Sequence, residues 1–337
     1  MPDVINNLAT VQKNGVKRTE YWAKKLEAII RIEQRNFVFT SLGKQVSLPR
    51  KQGTTTYSFK RPNRLPISAT GDLTPLVEGQ KPTALKVEFQ KVQASVNQYG
   101  NYIIETDVVD AVGFDDVKKT YQPELAAIAA EEKELVTINS FADASERWVN
   151  GRVSDDEITA TDTLTLAEGR LAVLTMRNAF RKGHAKYGGK FVGVVHVNVM
   201  QDLLDDATLL DNILVPGNEN SPMKNGTLNS YQVYGTFYQE TLVCPKKVNS
   251  EGVNVYTSVF LGQDPYAVLK FGNLEWKETG FEADKNDPLG QTATLGYKHW
   301  IGAKVIDPLA ITLVYSASAY DDASYTTDTL GAAASQA

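Results

Sequence analysis

The longest strand-like pattern in the chain begins near Ala84. Leu85, Val87 and Phe89 alternate with Lys86, Glu88 and Gln90, and the phase then flips near Lys91, so that Val92, Ala94 and Val96 alternate with Gln93, Ser95 and Asn97. Side chains of a strand leave opposite faces with a period of two, so a slip of one residue turns the apolar set over. The flip predicts a bulge, a twist, or a strand that passes from one packed environment to another. Gly100, Tyr102 and Ile104 continue the second phase. A shorter strand is predicted at Thr54–Phe59, and turn-rich sequence with several prolines joins the two. Residues 52–97 thus read as an extended β-ribbon. Two strands alone bury too little surface to be stable in water, so the apolar side needs cover from its own domain or from another molecule.

The period changes beyond residue 107. In "TYQPELAAIAAEEKELVTINSFADA", Leu125, Ile128, Leu135 and Ile138 or Phe141 fall along one side, and Pro123 suits a first turn. About 22 residues at 1.5 Å each predict a helix of roughly 33 Å, and the run Ala126 to Ala130 permits close approach to a sheet. "SERWVNGRVSDDEITATD" reads as a polar break, or as a short hairpin turning at Asn150-Gly151. A second helix starts at Thr165, where Thr165 and Glu168 form a capping box; Arg181 and Lys182 suit its last turn and Gly183 its stop. "KFVGVVHVN" predicts a short buried strand, and "NVMQDLLDD" a brief helix capped by Asn198. Strands and loops follow, ending in the long run "TLGYKHWIGAKVIDPLAITLVYSAS". Near the N-terminus Trp22, Leu26, Ile29 and Ile30 recur at helical spacing and predict a docking helix with one apolar face. The fold class is α+β.

Composition adds bounds. The 337 residues carry a formal charge of −5, which argues against a surface that binds nucleic acid throughout but leaves room for local basic patches. The single cysteine, Cys244, cannot form an internal disulfide and reads as a small buried hydrophobe. The N-terminal segment has no apolar core of a secretory signal, and no run nears the ~18 apolar residues of a membrane span. A soluble protein made in a cytoplasm is expected.

Catalytic chemistry finds no support. His184, His196 and His299 are scattered without zinc-type spacing, and no G-x-S-x-G is present. "GHAKYGGK" fails the phosphate-loop pattern, and the carboxylates of "DLLDDATLLD" and "SDDE" lack a calcium-loop frame. No catalytic, cofactor-binding or metal-ligating residue is predicted. "KRPNR", which contains Lys60, Arg61 and Arg64, is a basic cluster at the ribbon tip with no aromatic residues for base stacking, so an acidic patch on a neighbour suits it better than nucleic acid.

Three stretches, "LVEGQKPTALKV", "QYGNYIIETDVVD" and "GKFVGVVHVNVMQDLL", together with the element order over residues 20–317, resemble the major capsid proteins of tailed bacteriophages of the Hong Kong 97 type, nearest the coat-protein family of the N-four-like phages. The resemblance implies an N-terminal arm at 1–51, an extended loop at 52–97, and a peripheral domain at 98–164 with a spine helix at about 115–145. It further implies an axial domain at 165–290 and a return strand of the peripheral domain at 291–318; the small, polar composition of 319–337 predicts a mobile tail. The implied function is self-assembly into hexamers and pentamers of an icosahedral head around double-stranded DNA, with no catalysis and no cofactor. Portal, scaffolding or decoration proteins would be further partners, no membrane would be involved, and the location would be the virion after assembly in a bacterial cytoplasm. Contacts between subunits would come from Lys60, Arg61, Arg64, Glu78, Lys81, Leu85, Val87 and Phe89 of the loop, and from Trp22, Leu26, Ile29 and Ile30 of the arm. Lys13, Lys17, Arg18, Lys24 and Lys25 would face DNA. Nothing marks a Lys–Asn pair, so no covalent cross-link is expected. An encapsulin-like compartment shell and a soluble α+β enzyme with a dispersed site are the alternative readings.

Overall fold

A computed structural model describes residues 37–49, 55–63, 65–67, 75, 78–112, 117–206, 230–233, 235–283 and 287–321. Trp22, Leu26, Ile29 and Ile30 of the expected docking helix, the basic residues Lys13, Lys17, Arg18, Lys24 and Lys25, and Arg64 lie outside the described residues. The chain is α+β, as expected. Its elements run α1 (Phe39–Leu42), β1 (Lys44–Ser47), β2 (Thr56–Pro62), β3 (Phe89–Ser95), β4 (Asn97–Thr106), α2 (Asp107–Val112), α3 (Val117–Asn139) and β5 (Ser145–Trp148). There follow α4 (Leu166–Asn178), β6 (Phe191–His196), α5 (Val197–Leu204), β7 (Ser230–Val233), β8 (Thr236–Thr241), β9 (Lys246–Val248) and β10 (Asn254–Leu261). The last four strands are β11 (Tyr266–Lys270), β12 (Glu275–Thr279), β13 (Thr292–Val305) and β14 (Ile311–Ser316).

Two sheets carry the body. In the first, β13 is the spine. It pairs antiparallel with β4 along one side and with β12 and β11, laid end to end, along the other; β1 then joins β11 in parallel. Helix α3 crosses this sheet. Leu125 and Ala129 pack on Leu295 and Tyr297, and the end of the helix brings Ile138 and Phe141 onto Tyr266, Val268 and Ile301. The expected stripe was off by part of a turn, because Ile128 is 41% exposed and Ala129 takes the buried place. The small side chain lets the helix lie close to the sheet. The helix also turns polar groups inward, since Glu134 and Thr137 are fully buried, and this blurred its apolar periodicity.

The second sheet has the order β5-β14-β10-β6-β8-β7, with β9 beside the start of β10. β6 is buried at all six positions, as its β-branched content predicts. Helix α4 covers one face, where Val173 and Met176 meet Tyr238 and Phe260. A Cβ at Gly169 would lie 2.3 Å from the Tyr238 hydroxyl, so the helix can approach only with glycine there. The other face contributes Val192, Val194, Val259, Leu261, Ile311 and Leu313 to a core shared with Phe39, Leu42, Phe141 and Tyr266. That core joins the two sheets.

Several local expectations shift. Thr165 caps α4 by accepting from the Glu168 amide, but the Glu168 carboxylate turns to Arg147 and the Asn150 amide instead of completing the box. α4 stops at Asn178, before Arg181 and Gly183, because Phe180 takes a left-handed conformation (φ 58°) and the Arg181 amide closes back on the Met176 carbonyl. Gly183 serves a different need, as a Cβ there would fall 2.0 Å from the Gly189 carbonyl oxygen. The cap of α5 is His196, whose Nδ1 accepts from the Asn198 amide, and not Asn198 itself. β5 pairs in parallel with β14, so no hairpin forms at Asn150-Gly151.

Candidate interaction surface

β2 and β3 form the expected antiparallel ribbon, in register from Thr56 opposite Ser95 to Pro62 opposite Phe89. Its root is anchored. Phe59, Ala94 and Val96 pack on Leu269, Val46, Leu48, Phe271 and Trp300 of the first sheet. The two layers approach so closely that a Cβ at Gly302 would lie 1.9 Å from the Ser95 carbonyl oxygen. The buried phase Val92–Ala94–Val96 therefore belongs to the body's own packing, with Val92 half-buried and the other two buried.

That phase does not continue to Ile104 as expected. The ribbon strand ends at Ser95, and β4 begins at Asn97 as a member of the first sheet. Tyr99 and Ile103 now join the clusters under α3, while Tyr102 is 57% exposed. The chain changes sheets at Val96 and reverses its faces a second time.

Beyond the root the ribbon has little cover of its own. Residues 81–88 lie outside the ladder, which starts at Phe89 and not near Ala84. Leu85, Val87 and Phe89 are 37%, 60% and 62% exposed. Tyr57, Leu65 and Ile67 are also exposed, and sequence reasoning missed them. The signal was weak, because Leu65 and Ile67 flank Pro66 in a basic stretch with no alternation. A concentration of large exposed apolar side chains marks an interaction surface more than an ordinary monomer face.

The charged candidates divide. Lys60, Glu78 and Lys81 are exposed. Lys60 stands directly opposite Lys91 in the ladder, a like-charge pair that an acidic partner would relieve. Lys86 and Glu88 pair at 2.6 Å, but both are so exposed that the pair adds little. Arg61 turns inward instead. Its guanidinium meets Asp307 at 2.5 Å and also reaches Gln90 across the ladder, so its charge is used within the chain.

Several titratable groups are buried within the body. Glu134 of α3 is fully buried and accepts from the amides of Phe39 (2.9 Å) and Thr40 (3.0 Å), capping α1. Burial pushes its carboxyl up to about 7. The Tyr266 hydroxyl donates to the Phe39 carbonyl at 2.7 Å, and His184 Nε2 lies 2.9 Å from the Leu42 carbonyl oxygen. His299 is buried between the rings of Tyr99 and Tyr297, with Nε2 3.7 Å from Glu132. Burial pushes this imidazole down to about 4. The Cys244 thiol is buried, donates to the Thr257 carbonyl, and is pushed up by burial. Among the described residues no group of His, Cys, Asp and Glu could hold a metal ion, and no helix is long and apolar enough to cross a membrane.

No family model and no curated protein matches the chain. Solved structures do. The capsid of Ralstonia phage GP4 aligns with a TM-score of 0.65 at 13% identity, covering 95% of this chain and 99% of that one. An acid-stable capsid structure of the Helicobacter pylori bacteriophage KHP30 aligns with a TM-score of 0.63 at 11% identity, covering 94% and 98%. The capsid structure of cyanophage P-SCSP1u aligns with a TM-score of 0.62 at 13% identity, covering 88% and 94%. The α+β fold of this chain is the fold of these phage capsid proteins.

Proposed function

We propose that this chain is the major capsid protein of a tailed bacteriophage of the Hong Kong 97 type. Copies assemble into the hexamers and pentamers of an icosahedral head that encloses double-stranded DNA, and the chain performs no catalysis. The observation that carries this reading is a ribbon whose root is buried in its own subunit and whose far part exposes Leu85, Val87 and Phe89. A second copy is the occupant that such a surface needs, because one ribbon laid over a neighbour, repeated by rotation, closes a ring. The match to phage capsid structures along nearly the whole chain supports the same reading.

In this assignment residues 1–51 are the arm and 52–97 the loop over the neighbour. Residues 98–164, with helix α3, are the peripheral domain, 165–290 the axial domain, and 291–318 the strand that returns to the peripheral domain. Trp22, Leu26, Ile29 and Ile30 of the arm dock on another subunit, and Lys13, Lys17, Arg18, Lys24 and Lys25 face the packaged DNA. Portal, scaffolding or decoration proteins complete the head, and the N-four-like coat proteins are the proposed nearest relatives. Replacing Val87 and Phe89 together by Asp tests the central contact. Neither side chain supports the subunit core, so the variant is expected to fold and to remain as capsomers or monomers on a gradient. Shells at wild-type yield would refute the assignment.

A further inference from the structure

Asp307 lies in the connection between β13 and β14, far in sequence from the ribbon. Its Oδ1 lies 2.5 Å from Nη1 of Arg61 on β2. Its Oδ2 lies 2.5 Å from Nε of Arg181, just beyond α4, and Arg181 Nη2 reaches Oδ1 at 3.2 Å. All three side chains are mostly covered, with 14% of the Asp307 side chain exposed against 23% for Arg61 and 28% for Arg181. Arg61 also bonds Gln90, its opposite number on β3, and approaches the Ile306 carbonyl at 3.4 Å. One guanidinium thus ties both ribbon strands to the body.

We propose that Asp307 is the latch that fixes the angle of the ribbon. The proposal rests on the capsid reading for its purpose, because the ribbon angle decides where the apolar tip meets a neighbour. Charge-assisted bonds in a half-buried site hold geometry well. Release is usually costly, because it strands a covered charge. Here the cost is lowered, since Arg181 still bonds Oδ1 and lies close to Oδ2 when Arg61 leaves, and the Leu309 amide still donates to Oδ1. Arg61 itself lies near the surface and can be solvated. The root packing at Gly302 and Val96 stays in place, so the ribbon pivots about a fixed base while Arg61 sets its pose. Asp307 and Arg61 are positioning residues, and neither belongs to the exposed contact surface.

Hydrogen exchange of the unassembled subunit, with electron microscopy of assembled particles, tests this on Arg61→Met, Arg61→Lys and Asp307→Asn. In Arg61→Met and Asp307→Asn the amides of β2 and β3 are expected to exchange about tenfold faster, while those of β10 and β14 stay unchanged. Arg61→Lys keeps a cation beside Asp307 and is expected to stay closer to wild type. Particles of the first two variants are expected to be heterogeneous in diameter. Wild-type exchange in the ribbon of both variants would overturn the latch, whatever the particles look like. If the wild-type chain forms no particles even with head-assembly partners present, the capsid reading falls separately, and the exchange measurement still decides the latch.

Discussion

At the scale of single residues, the most consequential group is a buried acid. Glu134 caps the start of α1 from α3, which fixes residues 38–42 firmly in the core. The cost is electrostatic, because burial raises its carboxyl from 4.5 to about 7. The native state therefore holds a proton that the unfolded chain has lost between these pH values. Stability from this group is full below about 4.5 and declines as pH rises towards 7, by about 3 kcal/mol in all. His299 acts in the opposite sense. Its imidazole is lowered to about 4, so its contribution is full above 6.5 and is lost as pH falls towards 4. Comparing wild type with Glu134→Gln isolates the first effect. The stability advantage of wild type over the variant, measured by urea unfolding, is expected to shrink by about 3 kcal/mol between pH 4.5 and 8. An advantage that stays constant or grows would show that Glu134 is charged at little cost.

At the scale of elements, the ribbon and its root decide the account. The ribbon was legible because its apolar residues alternate, and the flip near Lys91 marks a real change from exposed to buried packing. The second reversal at Val96 was not legible, since it depends on which strand of another sheet β4 joins, and Tyr102 looks as apolar as Tyr99 in sequence. The stripe of α3 was misplaced for a related reason. Tertiary contacts chose Ala129 over Ile128 and buried Glu134, and neither choice is written in periodicity. The exposed Leu65 and Ile67 were missed because they sit in turn-rich sequence. The glycine at the root offers a direct check. Gly302→Ala would set a methyl against the Ser95 carbonyl, and backbone cannot rotate away as a side chain can. A loss of about 2 kcal/mol or more in subunit stability is expected by calorimetry, with faster exchange at Ala94 and Val96. A neutral outcome would mean that the ribbon root is not held where Gly302 places it.

At the scale of the whole molecule, two sheets share one core, and α3 braces the first while α4 braces the second. This body carries a ribbon whose root is covered and whose far side chains are exposed. Exposed apolar side chains grouped on a ribbon suit a contact with another molecule better than an ordinary monomer surface. Stable closed assemblies need large contacts, on the order of 2,000 Å² or more for an obligate interface, and the six exposed apolar residues of the ribbon supply only one part. Sedimentation velocity of the purified full-length chain, with negative-stain microscopy of the fastest fraction, measures the result directly. Closed particles of megadalton mass, built from rings of five and six subunits, are expected. A discrete small oligomer or a stable monomer, at concentrations and with head-assembly partners that allow related coat proteins to assemble, would contradict it.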